Sequence, residues 1–487
     1  MNHPSSRMLV ATVGSLLLGL GILPPALPAA SPADKSRPNI IYILADDLGL
    51  GDLGCYGQRV LKTPHIDRLA AEGMRFTQHY SGSTVCAPSR SSLLEGLHTG
   101  HTSVRGNSDG QHLDPARTTL AEALRDVGYT TAIIGKWGVG EPLPVDDPKR
   151  HGFEHAYGYV NMFHAHNFFP EFLYRNGTRE PLPANILDRS LPFNHMPEGT
   201  GVAKVRGTYA PHLIEQDAMN FLVTHRERPF FLYLALNLPH NNGEKAKTTG
   251  DGSEVYDYGE FADRDWPPVE RGFARMVQYV DLTVGHIMAR LRELGLDEST
   301  LVVFSSDNGA YGGGGHDVEF FDSNGPFRGY KRDLYEGGIR APLIARWPGR
   351  VPHGTVSDHI NAAWDLFPTF AEIAGASVPA DLDGISLVPT LLGKPGQRQH
   401  AHLYWEFHEQ GGKQAVRAGD WKAVRLNLTN DQPEKFELFN LATDPAETHD
   451  LAAAHPAVTD ALQAILVAAH QPLPNEPDLP RIDAPSP

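Results

Sequence analysis

Asn39-Ile40-Ile41-Tyr42-Ile43-Leu44-Ala45-Asp46-Asp47 is the stretch on which the fold turns. An apolar, β-branched and aromatic run without polar alternation marks a strand buried on both faces. It ends on two adjacent carboxylates. The pattern recurs at Thr130–Ile134, Phe230–Leu236, Thr300–Phe304 and Pro342–Ala345, each bounded by polar or turn residues. Helical patterns lie between them, at Asp67–Glu72, Thr118–Val127, Val269–Leu294 and Ala363–Ala374. In the long one, Phe273, Met276, Val277, Val280, Val284, Ile287, Met288 and Leu291 recur at helical spacing. Strands alternating with helices predict an α/β fold, a large, mostly parallel sheet sandwiched by helices. In such sheets ligands sit beyond the carboxyl ends of the strands.

The chain has 487 residues, room for one large α/β unit and a smaller one. From about Asp383 the texture changes. His402–Phe407, Lys413–Ala418, Trp421–Leu426 and Glu437–Asn440 read as short strands, and Ala446–Ala469 as a helix. This predicts a smaller C-terminal α+β domain with an antiparallel sheet. The expected boundaries are 37–382 for the large domain, 383–471 for the small one and 472–487 for a loose Pro-rich tail. At the other end, Arg7 precedes an apolar run from Met8 to Leu23, then Pro24-Pro25 and small residues to Ala30. Residues 1–30 read as a secretory signal peptide rather than a stable membrane anchor, since the apolar run is short for a span of ~20 residues. The expected location is exported, periplasmic or secreted.

A net charge of -16 argues against a general nucleic-acid binder. Two cysteines, Cys55 and Cys86, exclude a disulfide scaffold and any Cys-rich metal site. A single disulfide between them stays arithmetically open.

The strand ends carry the chemistry. Asp46 and Asp47 repel each other unless a cation sits between them. The strand ending at Phe304 leads into Ser305-Ser306-Asp307-Asn308-Gly309, which adds a carboxylate and an amide oxygen at the equivalent edge. Together they suit a hard cation, calcium or magnesium. Gly49-Leu50-Gly51-Asp52-Leu53-Gly54 formally matches a dinucleotide fingerprint, but the flanking aspartates would repel a pyrophosphate. Cys86-Ala87-Pro88-Ser89-Arg90 offers a small nucleophile, a stiffened turn and an arginine able to grip an oxyanion.

Those five residues resemble the C-x-P-x-R signature of the formylglycine-dependent sulfatases, arylsulfatase type, in the alkaline phosphatase superfamily. Surrounding motifs resemble the family in its order. They are Thr63–Ala70, Leu93–Gly96, Gly128–Thr131 with Gly135-Lys136-Trp137, Asn237–His240, Ser306–Gly309 and Tyr335–Arg340. Phe436–Leu441 with Asp444-Pro445 resembles the family's small domain.

The resemblance implies a sulfuric ester hydrolase whose Cys86 is oxidised to formylglycine by a maturation system. The hydrated aldehyde would attack sulfur with one hydroxyl, and loss of a proton from the other would expel sulfate. It also implies one divalent cation, calcium, held by Asp46, Asp47, Asp307 and Asn308 with the modified Cys86. Arg90 would anchor the aldehyde, Lys136 and Lys331 would contact sulfate, and His240 would protonate the leaving oxygen. His164 and His166 would line the substrate pocket. The implied substrate is a sulfate ester, a sulfated glycan or aryl sulfate. An oxidised Cys86 would leave Cys55 a free thiol.

One departure stands out. Many family members carry a histidine directly after Lys-Trp, and here that position is Gly138. The base for the elimination is therefore unassigned, with His98, His101, His164 and His166 as candidates. The runner-up activity is a phosphonate monoester or phosphodiester hydrolase of the same superfamily, because both substrates are tetrahedral oxyanions. A catalytically dead binding protein would show broken motifs, and only Gly138 departs.

Overall fold

The structure is a computed structural model that describes residues 37–107, 111–139, 143, 145–193 and 196–473. The signal-peptide reading of residues 1–30 and most of the tail, from 474 onward, lie outside the described residues.

A ten-stranded sheet forms the centre. Across it the strands run Thr355–Ser357, Met74–Phe76, Leu343–Arg346, Thr300–Ser306, Asn39–Ala45, Phe230–Ala235, Thr130–Lys136, His155–Tyr159, Phe172–Arg175 and Thr178–Pro181. The five from Thr300–Ser306 to His155–Tyr159 are mutually parallel. Leu343–Arg346 runs antiparallel to Thr300–Ser306, and an antiparallel hairpin closes the other edge. The mostly parallel sheet is thus a parallel centre flanked by the reversed strand Leu343–Arg346, with the parallel pair Met74–Phe76 and Thr355–Ser357 beyond it, and by an antiparallel hairpin at the other edge.

Side-chain alternation explains why both faces must be covered. In the first strand Ile41 and Ile43 join one core, while Ile40, Tyr42 and Leu44 join the other. The helices Ala210–Thr224 and Pro268–Glu293 cover the first face. Met276, Val280, Val284 and Ile287 of the longer helix are fully buried, a gain on the order of 2 kcal/mol each. Cys86–Glu95, Leu120–Asp126 and Leu366–Ala374 cover the second face.

A four-stranded antiparallel sheet follows, Leu403–Phe407, Lys413–Ala418, Trp421–Leu426 and Lys435–Asn440. Its Trp405, Phe407 and Val424 share a core with Tyr80, Leu334, Ile339 and Trp364. Charge ties it down as well. Lys422, with no exposed side-chain surface, pairs with Glu336 and Glu447 at 2.9 Å each.

Some elements differ from expectation. The Asp67–Glu72 helix is Pro64–Ala71, because Pro64 suits the first helical position. The Ala446–Ala469 helix shortens to Pro456–Ala468. Ahead of it Asp444 accepts from the backbone N–H of Thr448 and His449 and holds a turn. The Ala210–Thr224 helix and the outer strands were not legible. Gly158 interrupts one of those strands and the others are only three or four residues long. Among the described residues, no helix is long and apolar enough to cross a membrane.

Removing one partner of a buried ion pair strands the other. Lys422→Met should therefore lose about 3–5 kcal/mol in urea unfolding, and a loss below about 1 kcal/mol would refute the clamp. Acid should also destabilise the fold. Burial pushes His79 down to about 4 and His98 and His164 to about 3. These histidines stay neutral in the fold but protonate in the unfolded chain below about pH 6.5. Stability should fall as pH drops from about 6.5 toward 3, and His164→Phe should flatten that slope.

Candidate active site

Four neighbouring parallel strands end at one place. Asp46 and Asp47 follow Asn39–Ala45, and Asp307 and Asn308 follow Thr300–Ser306. Lys136 closes Thr130–Lys136, and Asn237–His240 follow Phe230–Ala235. The register places Ala45 beside Ser306, and the Asp307 N–H donates to the Ala45 carbonyl at 3.1 Å. Gly135 lets the strands close up, since a Cβ there would meet the Ala235 carbonyl at 1.9 Å.

Three carboxylates and three cations interlock, all buried. Lys136 Nζ donates to Asp46 Oδ2 at 2.7 Å. Lys331 Nζ donates to Asp47 at 2.8 and 2.9 Å. Arg90 donates through Nη2 to Asp307 Oδ2 at 2.7 Å and through Nη1 to the Lys136 carbonyl at 2.7 Å. Asn308 Nδ2 donates to Asp47 Oδ1 at 2.8 Å. Burial alone would raise Asp46, but Lys136, His240, Arg90 and Lys331 outweigh it and hold the carboxyl well below its usual range. Burial and the charge of Asp46 push Asp307 up to about 7. That split is what two like charges do when they share a dry site. Asp47 adopts φ 67, a left-handed conformation that turns its carboxylate into the cluster.

The donor set fits a hard cation. Asp46 Oδ1 and Asn308 Oδ1 are buried acceptors without a hydrogen-bond partner among the described residues. With Asp47 and Asp307 they form an all-oxygen set at two strand ends. Asp46, Asp47 and His240 also bring ligand atoms within 4.8 Å of one another.

Cys86 opens the Cys86–Glu95 helix and is buried and unpaired, so no Cys55–Cys86 disulfide exists. Arg90 lies one turn along that helix. The Cys86 side chain lies within electrostatic reach of Arg90, Lys136 and Lys331.

His240 follows a cis Leu238–Pro239 bond. Its Nδ1 meets the Asn241 carbonyl at 2.7 Å, so Nδ1 carries the hydrogen. Its Nε2 faces Lys331 Nζ at 3.2 Å and Asp47 Oδ2 at 3.3 Å. Burial and then Lys331 push His240 well below its ordinary value. Burial would lower Lys331 too, but Asp47 outweighs it and keeps the ammonium charged.

The structure sorts the remaining histidines. His166 stacks on His240 with ring centroids 4.3 Å apart and joins the cluster. His164 turns away and packs against Tyr159 and Phe172. His98 and His101 lie past the far end of the Cys86–Glu95 helix, roughly 15 Å along its axis. There they engage Asp383. Gly138 sits at φ 62, and a Cβ there would lie 2.9 Å from Lys136 Cε. Two neighbours escaped the sequence reading. Tyr311 lies under Lys331 Nζ at 5.1 Å, and the Asn107 amide touches Cys86. Neither has a spacing signal, because each reaches the site from a loop. The Gly49–Gly54 segment forms two short 3-10 turns packed on the Ser323 and Asp322 carbonyls, with no phosphate cradle.

Comparison with known proteins agrees with this geometry. Residues 38–376 match the family described as "Sulfatase". Residues 325–471 match "N-sulphoglucosamine sulphohydrolase, C-terminal". The chain is 32% identical to N-acetylgalactosamine-6-sulfatase of Canis lupus familiaris, covering 91% of this chain and 88% of that protein. It is 34% identical to arylsulfatase A of Bos taurus, covering 87% and 85%. Among solved structures, Ps i-CgsB in complex with k-i-k-neocarrahexaose superposes with a TM-score of 0.72 at 27% identity, covering 88% of this chain and 92% of that one. A carboxylate-rich site at the ends of parallel strands, opposite a C-x-P-x-R helix, thus belongs to a chain that matches sulfatases along most of its length. The protein is a member of the sulfatase family, a sulfuric ester hydrolase.

Proposed function

We propose that this hydrolase cleaves sulfate monoesters of glycans, using a formylglycine made from Cys86 and one calcium ion. The observation that carries the reading is the convergence of the Cys86 thiol, three buried cations and two partnerless acceptor oxygens on one set of strand ends. Asp46, Asp47, Asp307 and Asn308 would hold the cation, with the modified residue 86 completing the set. When bound, the cation supplies Lewis-acid charge beside the sulfate. The oxidised residue 86 supplies an oxygen nucleophile in place of sulfur.

The chain's own residues then have separable roles. Arg90 braces the helix that carries residue 86 by gripping Asp307 and the Lys136 carbonyl. Lys136 and Lys331 balance the carboxylates, so an added divalent cation leaves the pocket locally positive and suited to an anionic ester. Proton supply to the leaving oxygen falls to the Lys331–His240 pair. The ammonium holds the proton, and Nε2, free of hydrogen because Nδ1 carries it, shares it. His166 backs His240 and forms the wall toward the substrate, a place that His164, packed among Tyr159 and Phe172, does not share.

The reading extends to organisation. Residues 37–382 would be the catalytic domain and 383–471 the small one. The enzyme would be exported to the periplasm or beyond, mature through a formylglycine-generating system and have no nucleic-acid partner.

Mass analysis of the peptide containing Cys86, from the native host, should show an aldehyde in place of the thiol. A fully unmodified thiol in active enzyme would overturn the nucleophile. Cys86→Ala should lose roughly a thousandfold or more in kcat on an aryl sulfate, whereas Cys86→Ser should turn over once and stall. Chelation should lower Tm. Calcium restored to a hundred times its Kd should return about 2.7 kcal/mol, and Asn308→Leu should abolish that return. A Tm indifferent to calcium would sink the cation assignment.

A further inference from the structure

The side chain of residue 86 has a polar neighbour that none of the roles above uses. Asn107 Nδ2 donates to Cys86 Sγ at 3.5 Å, and Sγ lies 3.6 Å from Asn107 Oδ1. The Ala87 backbone N–H donates to Oδ1 at 3.1 Å. That bond settles the orientation of the amide, because an N–H needs an oxygen opposite it. With Oδ1 so engaged, Nδ2 is the donor within reach of the substituent on residue 86, although Oδ1 lies almost as near and accepts from the thiol. The loop holding it is itself anchored from the small sheet. Glu409, in the turn after Leu403–Phe407, accepts from the Asn107 N–H at 2.6 Å, and its other oxygen lies 3.6 Å from Arg332.

We propose that Asn107 is a further catalytic residue, the one that fixes the reacting side chain at position 86 and donates a hydrogen bond to its oxygen. This rests on the sulfatase reading with an oxidised Cys86. Oxygen is a stronger acceptor than sulfur but stands on a shorter bond to carbon, so Nδ2 makes an ordinary hydrogen bond to it only by closing in several tenths of an ångström. A neutral donor aimed at an oxygen that gains negative charge lowers the barrier without taking the proton. An amide has no basic nitrogen, so Asn107 orients and stabilises but is not the base. Position 138 does not supply this contact. Gly138 has no side chain, and a Cβ on its left-handed backbone would lie 2.9 Å from Lys136 Cε and require that side chain to shift. The contact arises instead from a loop buttressed by Glu409.

The test uses Asn107→Ala and Asn107→Asp in the full chain, with activity expressed per aldehyde at residue 86 as counted by peptide mass. Asn107→Ala should lower kcat on an aryl sulfate by about a hundredfold or more, with KM changed by less than about threefold. Asn107→Asp keeps the acceptor for the Ala87 N–H and lacks a donor while ionised. Its kcat should rise relative to Asn107→Ala as pH falls and the carboxyl gains a proton. A purely structural role would give the two variants parallel pH profiles. A kcat per aldehyde within about threefold of wild type in Asn107→Ala would overturn the proposal, as would a loss confined to aldehyde formation. Wild-type enzyme that turns over sulfate esters while carrying only thiol would instead fail the underlying reading.

Discussion

Burying three carboxylates at the ends of adjacent parallel strands is the constraint around which the molecule is organised. Each charge taken out of water costs several kcal/mol, and like charges side by side cost more. The chain offsets this with one cation per carboxylate. Lys136 comes from a strand end two strands away, Arg90 from a helix on the second face and Lys331 from a loop. None of the three is local in sequence to its partner. The cluster therefore forms only when the sheet, the helix and the loop are all in place. A fully balanced cluster with two partnerless acceptor oxygens is also poised to favour an added cation.

The support behind that cluster is equally non-local. The Cys86–Glu95 helix lies on the second face of the sheet, where Leu93 and Leu94 anchor it in the core. The small antiparallel sheet presses from the other side. It shares Tyr80, Ile339 and Trp364 with the large unit and brings Lys422 to two glutamates. Through Glu409 its first hairpin reaches the loop that meets Cys86. The C-terminal sheet thus braces one loop of the site.

Much of this was legible from residue patterns. Buried strands showed as apolar runs because both faces of a parallel strand are covered. The acidic pairs were visible because they stand directly at those strand ends. Contacts arriving from loops were not. Asn107, Tyr311 and the His166–His240 stack meet by chain crossing at large separations, with no period to reveal them. Among the histidines, composition could not separate His166, on His240, from His164, packed into aromatics two residues earlier. A short 3-10 turn sends the two rings opposite ways.

By itself the sequence determined the class of fold, the chemical inventory and the family. Those follow from local periodicity and from short motifs in a set order. Tertiary structure alone decided which charges pair, which histidine faces the site and which nitrogen of His240 carries the hydrogen. It also decided that Gly138 adopts a left-handed backbone against Lys136 while Asn107 touches Cys86 from a loop. The physical reason is that pairing and protonation depend on distance and desolvation, and both are set by elements far apart in the chain.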